Sequence, residues 1–227
     1  MRKVGIVGAD ILQEELLKTS DGYELWSVNN LYEGFPGVRF SRWYELHVIK
    51  REGQKYTRRG ISYYPISGDH EVRWYLEELD ALKIPVYMQK KWSIVKQSEV
   101  FPFAEIRKTY GDYFGCSFTW MLAQAISEGV KDIRLFGMNF GSQEYFYQRP
   151  SLEYMIGIAR GKGITVTIDE NSRLLKEPYL YALEEETDLI YMLHGHFAID
   201  VAMMVTTGLQ ERLTHYFYNP YWRDREK

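Results

Sequence analysis

The sequence predicts an α/β protein: a doubly wound, mostly parallel sheet over residues 1–175, followed by a C-terminal helical hairpin within 176–227. Three observations predict it. From residue 116 onward, helical stretches alternate with short apolar runs, and that alternation builds βαβ units with parallel strands. The runs are apolar on both faces, as strands are when helices cover them above and below. After Leu175 the pattern changes and only helical periodicity remains.

Taken in order, residues 4–7 form the first buried strand. Gly8 and Ala9 turn the chain. Asp10 is placed to cap the first helix, with Gln13 three residues on as in a capping box, and Leu12, Leu16 and Leu17 supply its apolar face. Residues 24–28 make a second strand, ending at Asn29 and Asn30. A third begins near Arg42 in SRWYELHVI. Residues 50–66 break the pattern: KREGQKYTRRG is basic and bounded by glycine, which predicts an exposed hairpin or flap. Asp69 then caps a helix over 71–82, and 84–88 is another buried strand. Ser117 caps a helix that runs to Glu128, with Gly129 closing it. Residues 133–136 form a strand, a helix opens at Pro150 and stops at Gly161 and Gly163, and the β-branched run ITVTI forms the last strand. Beyond it, helices over 179–193 and 197–216 flank His194-Gly195-His196. The second carries Phe197, Val201, Met204, Gly208 and Arg212 along one face. Packing on the chain's own sheet would use that face, as would a homo-oligomer interface helped by the aromatic tail HYFYNPYW.

Composition narrows the function classes. A net charge of −3 makes the whole chain neither a nucleic-acid coat nor a basic arm. Nineteen Tyr and six Trp suit planar ligands and interfaces. The single Cys116 excludes an internal disulfide and a cysteine-rich zinc site and suits a reducing cytoplasm. The N-terminus turns polar too early for a signal peptide. The run FAIDVAMMV contains Asp200 and is too short to span a bilayer.

Residues 139–149, NFGSQEYFYQR, follow the apolar run DIRLFG and should form the loop at a strand's carboxyl end, where open α/β sheets bind ligands. Asn139, Ser142, Gln143, Glu144, Tyr145, Tyr147, Gln148 and Arg149 give that loop more hydrogen-bonding and stacking capacity than a turn needs. Arg149 stands at a helix N-terminus, a poor place for a cation, and an anionic ligand there would remove the penalty. Glu45 and His47 share one face of a strand. A carboxylate beside an imidazole makes a general acid/base pair, although a surface glutamate beside a hydrogen-bonded histidine is the plainer account of the same spacing. Two such groups are too few for a metal site. Asn30 at a strand end can hold a ribose or base, Arg42 can balance a phosphate, and Ser117 begins a helix after a loop, a usual place for phosphate capture. The first turn, GIVGAD, has two glycines, and no acidic residue follows the second strand. Both points disfavour a dinucleotide site.

The blocks GIVGAD, ELWSVNNLY, FSRWYELH, IPVYM, FGCSFTWMLAQAISEGVKDIRLFGMNF and EYFYQRPSLEYMIGIARGKGITV together resemble a group of phage and prophage proteins. They are distantly similar to the Rossmann-like domains of sialyltransferase-like and motility-accessory glycosyltransferase-like proteins. The resemblance covers about residues 3–175. It implies a Rossmann-like nucleotide-binding domain in the cytoplasm of a bacterial host. Where related sequences have a small polar first turn with Pro and Ser, this chain has ADILQE, which argues against a sugar-nucleotide contact there. Two readings follow. One is a nucleotide-dependent, glycosyltransferase-like enzyme with His47 and Glu45 catalytic, and Asn30, Arg42, Ser117, Glu144, Tyr147, Gln148 and Arg149 binding a nucleotide or nucleotide-sugar without metal. The other is a non-catalytic protein that sequesters a nucleotide-derived signal in the same pocket. Both expect an anionic small-molecule ligand and a homo-oligomer, and neither expects a nucleic-acid polymer or a membrane as partner.

Overall fold

The computed structural model describes residues 2–49, 57–58, 61–62, 72–141, 145 and 147–176. The predicted C-terminal hairpin, the Asp69 cap and most of the 50–66 excursion lie outside the described residues. Seven strands form one parallel sheet: β1 (Lys3–Val7), β2 (Glu24–Val28), β3 (Arg42–Glu45), β6 (Val86–Met88), β7 (Ser98–Val100), β8 (Asp132–Phe136) and β9 (Thr165–Ile168). Their order across the sheet is β7-β6-β3-β2-β1-β8-β9. Two short strands, β4 (Thr57–Arg58) and β5 (Ile61–Ser62), pair antiparallel in the basic excursion. Among the described residues no helix is long and apolar enough to cross a membrane.

The sheet is doubly wound, with its central strands buried on both sides. Val4, Ile6, Trp26, Val28 and Tyr44 pack under helices α3 (Phe103–Tyr110), α4 (Ser117–Ser127) and α5 (Arg149–Gly161). Their strand neighbours point the other way. Val7, Leu25 and Phe136 meet Leu16 of α1 (Gln13–Thr19). Trp43, Val86 and Met88 meet Tyr75, Leu76 and Leu79 of α2 (Val72–Ala81). The period-two alternation thus feeds one cluster on one face of the sheet and two on the other.

Helices α4 and α5 end alike. Gly129 (φ 74°) and Gly163 (φ 74°) take the left-handed conformation. Gly129 N donates to Ile126 O (3.1 Å) and Val130 N to Ala125 O (3.1 Å), while Gly163 N donates to Arg160 O (2.9 Å) and Ile164 N to Ala159 O (3.0 Å). These are Schellman closures, in which the residue after the glycine is apolar and buried. They turn the chain straight into β8 and β9.

Helix starts depart from the sequence reading. Leu12, not Asp10, is the N-cap of α1, and Cys116, not Ser117, is the N-cap of α4. Neither makes a side-chain capping bond. Asp10 is drawn away because its carboxylate accepts from Asn139 N (3.3 Å) and its own amide donates to Gly137 O (2.9 Å). α5 begins at Arg149, one residue before Pro150. Strand β7 and helix α3 fall in residues 89–115, to which periodicity assigns no element. β7 is three residues long and buries only Ser98, too little for an apolar pattern.

Candidate functional site

In this topology the strand order reverses between β1 and β8, and a doubly wound sheet usually binds its ligand in the crevice at that point. Here the chain itself fills the crevice. The turn after β1 lies across the end of β8, with Gly8 N donating to Phe136 O at 2.8 Å. A Cβ on Gly8 would come within 2.5 Å of the Gly137 carbonyl oxygen, and one on Gly137 (φ +59°) within 2.7 Å of Ile11. From the β9 side, Asp169 accepts from Gly137 N (2.8 Å), Ser172 Oγ donates to Met138 O (2.5 Å) and Arg173 N donates to Asn139 O (2.7 Å). Gly8 of the first turn therefore serves close backbone approach to Gly137.

An open cavity lies two strands away, past the carboxyl ends of β3 and β6. It encloses about 300 Å³ and is lined by His47, Val48, Ile49, Met88, Gln89, Lys90 and Trp92. Glu45, the last residue of β3, is 2% exposed. Its Oε1 accepts from the His47 backbone N (3.0 Å) and meets Nδ1 of the His47 ring (2.7 Å). Its Oε2 accepts from the Tyr75 hydroxyl of α2. Buried carboxylates are costly unless their oxygens are paired, and this one has both oxygens engaged. On the cavity's other wall, Lys90 Nζ stands 4.3 Å from the centre of the Trp92 ring, a cation–π contact. Ser98 Oγ fixes Trp92, accepting from its amide N (3.0 Å) and donating to its carbonyl O (3.3 Å). Gln89 Nε2 donates to Leu46 O (2.9 Å), which joins the two loops that frame the cavity.

The remaining predicted residues occupy other places. Asn30 opens the 3-10 turn Leu31–Gly34 and makes no capping bond with its side chain. Its neighbour Asn29 is a turn residue at φ 55° whose carbonyl accepts from Trp43 Nε1 (2.8 Å). Ser117 is in the first turn of α4, and Tyr147, Gln148 and Arg149 are at the start of α5. The two starts adjoin: Gly115 N donates to Ser151 Oγ (2.9 Å), and that hydroxyl contacts Thr119 Oγ1 (3.1 Å). Burial pushes the Cys116 thiol up, against a bond from Thr119, which makes it a poor nucleophile. Arg149 needs no ligand to offset its position, because Nε donates to Glu153 Oε1 (2.7 Å) and Nη2 to Lys176 O (2.9 Å). Glu144 lies outside the described residues.

Arg42 is the clearest correction. Its guanidinium points to the amino-terminal edge of the sheet, opposite the end where α5 and Arg149 begin. There Nη1 donates to Glu128 Oε1 (2.6 Å), while Arg2 donates to Glu128 Oε2 (2.7 Å) and clasps Glu24 with two bonds of 2.9 Å. Arg42 also lies 4.5 Å above the Trp26 ring. It is a strut that joins β3 to the end of α4. Burial raises the Glu128 carboxyl, but hydrogen bonds from Arg42 and Arg2 outweigh this and hold it below its usual range. A depressed carboxyl contributes stability above its unfolded-state range and loses it as pH falls through the folded value. Glu128→Gln should therefore cost stability at neutral pH, about 1 kcal/mol or less after solvent screening. The deficit should shrink as pH falls through the carboxylate range. Urea unfolding at a series of pH values measures this.

Sequence reasoning missed Lys90, Trp92 and Tyr75. The first two had a signal: QKKWS directly follows the 84–88 strand, in the same position that drew attention to 139–149. Tyr75 had none, since a tyrosine on an amphipathic helix reads as core. Among the described residues, no group of three or more His, Cys, Asp or Glu is placed to hold a metal ion. Fold and site together define a Rossmann-like α/β protein with a carboxylate–imidazole pair at the carboxyl edge of its sheet. No protein-family model, curated protein or solved structure matches the chain significantly.

Proposed function

We propose that this protein binds an anionic nucleotide or nucleotide-sugar in the cavity beyond β3 and β6, and that it is a glycosyltransferase-like enzyme using His47 as acid/base. The observation that carries the reading is the buried Glu45 carboxylate 2.7 Å from Nδ1 of a histidine that lines the cavity. A carboxylate so placed orients an imidazole and stabilises its charged form. Lys90 supplies a cation for a phosphate, and Trp92 supplies a face for a base or sugar. The volume stands at the lower end of the ~300–1,000 Å³ usual for ligand sites and suits one part of such a ligand. The resemblance to phage and prophage proteins, themselves distantly similar to glycosyltransferase-like domains, is in keeping with the same class, and a phage origin and cytoplasmic location belong to this proposal. Arg42 and Arg149, both committed to internal carboxylates, have no part in it.

The test is calorimetry and thermal shift with mononucleotides, nucleotide-sugars, cyclic dinucleotides and ADP-ribose, set against a neutral sugar. Anionic probes should bind and weaken with added salt. Lys90→Ala should lower their affinity about tenfold, the worth of one charged hydrogen bond, and leave any weak binding of the neutral sugar unchanged. If no anionic probe binds, or Lys90→Ala binds like the wild type, the reading is wrong. Mass analysis of the incubated ligand separates the two outcomes of binding: product means transfer, and intact retained ligand means sequestration.

A further inference from the structure

Lys90 and Trp92 both line the cavity, and they occupy each other. The Lys90 ammonium stands 4.3 Å from the centre of the indole, inside the ~6 Å reach of a cation–π contact. A base stacked on that face would overlap the ammonium, so the contact has to open when a nucleotide binds. We propose that Lys90 and Trp92 form an exchange contact that selects ligands carrying both an anion and a planar ring. In the free protein the ammonium covers the indole. A bound nucleotide takes the ammonium onto its phosphate and sets its base in the place the ammonium leaves. The inference rests on reading the cavity as a nucleotide site.

Ser98 decides which partner moves. Its hydroxyl belongs to a residue only 5% exposed. It accepts from Trp92 N (3.0 Å) and donates to Trp92 O (3.3 Å). The half-buried indole packs against the cluster that includes Trp43, Leu76 and Val86. Main chain and packing thus hold the ring. Lys90 is exposed, and a lysine is a point charge on a flexible four-carbon stem. Its neighbour Lys91 pairs with Glu99 (3.7 Å), whereas Lys90 has the indole as its partner. Among the described residues, moving Lys90 therefore breaks a cation–π contact and no ion pair. An anion without a ring, such as pyrophosphate, draws the ammonium away and leaves the indole bare. A nucleotide replaces the lost contact with a stacked base, and the exchange favours it over inorganic phosphates.

Calorimetry with pyrophosphate, UMP and AMP at one ionic strength tests the exchange in the full chain. Trp92→Leu releases the ammonium, so pyrophosphate should bind about two- to five-fold tighter, the worth of an exposed cation–π contact. UMP and AMP lose their stacking face and should bind at least about five-fold weaker. Trp92→Phe keeps a smaller ring in the same packing and should show both changes with the same signs and smaller sizes. In a Lys90→Ala background the gain for pyrophosphate should vanish. Proton NMR of the Lys90 side chain gives a second reading. The indole should shift its ε-methylene signal upfield in the free protein, and UMP should return it toward the usual lysine position. The exchange is overturned if Trp92→Leu fails to tighten pyrophosphate, if UMP and AMP bind that variant as well as the wild type, or if UMP binds while the Lys90 signal stays where it was. Each of those outcomes sinks the exchange alone. If no probe binds, the proposed function fails and the exchange falls with it.

Discussion

His47→Ala is expected to leave nucleotide affinity within a few-fold of the wild type while lowering turnover about 10²–10⁴-fold, the usual contribution of a positioned acid/base group. The expectation follows from the division of the cavity. On the proposed reading, charge and stacking are the work of Lys90 and Trp92, whose ammonium and ring are in contact at 4.3 Å. The imidazole comes from the loop after β3 and is bonded to a carboxylate that is withdrawn from solvent. An interaction that matters only while a proton moves lowers kcat and kcat/KM together and spares binding. Calorimetry gives the affinity, and mass detection of product gives the rate. If the variant loses affinity and the wild type never forms product, His47 is a binding group and the protein holds its ligand without transforming it. Unchanged turnover in the variant would remove the acid/base role.

Gly8→Ala is expected to destabilise the domain by about 2 kcal/mol, the scale of forced overpacking, and to lower Tm by about 5 °C for a chain of this size. The added methyl would meet the Gly137 carbonyl oxygen at 2.5 Å. That oxygen cannot swing aside, because the residue is held by its own bond to Asp10 N (2.9 Å) and by Asp169 on its amide (2.8 Å). Relief requires the first turn to lift off β8, at the point where strand order reverses. Gly34→Ala is the control, since nothing lies within 4 Å of its Cβ position, and it should change stability by no more than about 0.5 kcal/mol. Urea unfolding of both variants settles the matter. A Gly8→Ala protein as stable as the control would mean the turn does not close the crevice.

Much of the fold is legible in the sequence. β1, β2 and β8 are short runs, largely apolar and bounded by turn residues, as strands covered on both faces are, and β9 was marked by its β-branched residues. The helix ends at Gly129 and Gly163 were legible because only glycine takes the left-handed turn cheaply. Glu45 and His47 were legible as a pair because residues two apart near a strand end project to one side. β7 and α3 were not, since an edge strand of three residues buries too little to be marked. Asp10 as a cap failed for a physical reason of another kind: its carboxylate had a better partner, Asn139 N, 129 residues away.

Local chemistry in the sequence thus determined the fold class, the strand and helix identities with strong periodicity, and one neighbouring pair of the candidate site. Tertiary structure alone decided which edge each long side chain serves and which crevice stays open. Arg42 went to the amino-terminal edge because its partner, Glu128, is 86 residues further on. Arg149 was satisfied by Glu153 and the chain at Lys176. The usual crevice at β1 and β8 was filled by a turn and by residues 169–173, which moved the open cavity to β3 and β6. Distant pairings of this kind depend on the register of the strands and on the path of loops. Neither is written in the spacing of residues along the chain, because both are set by contacts that exist only after the sheet has formed.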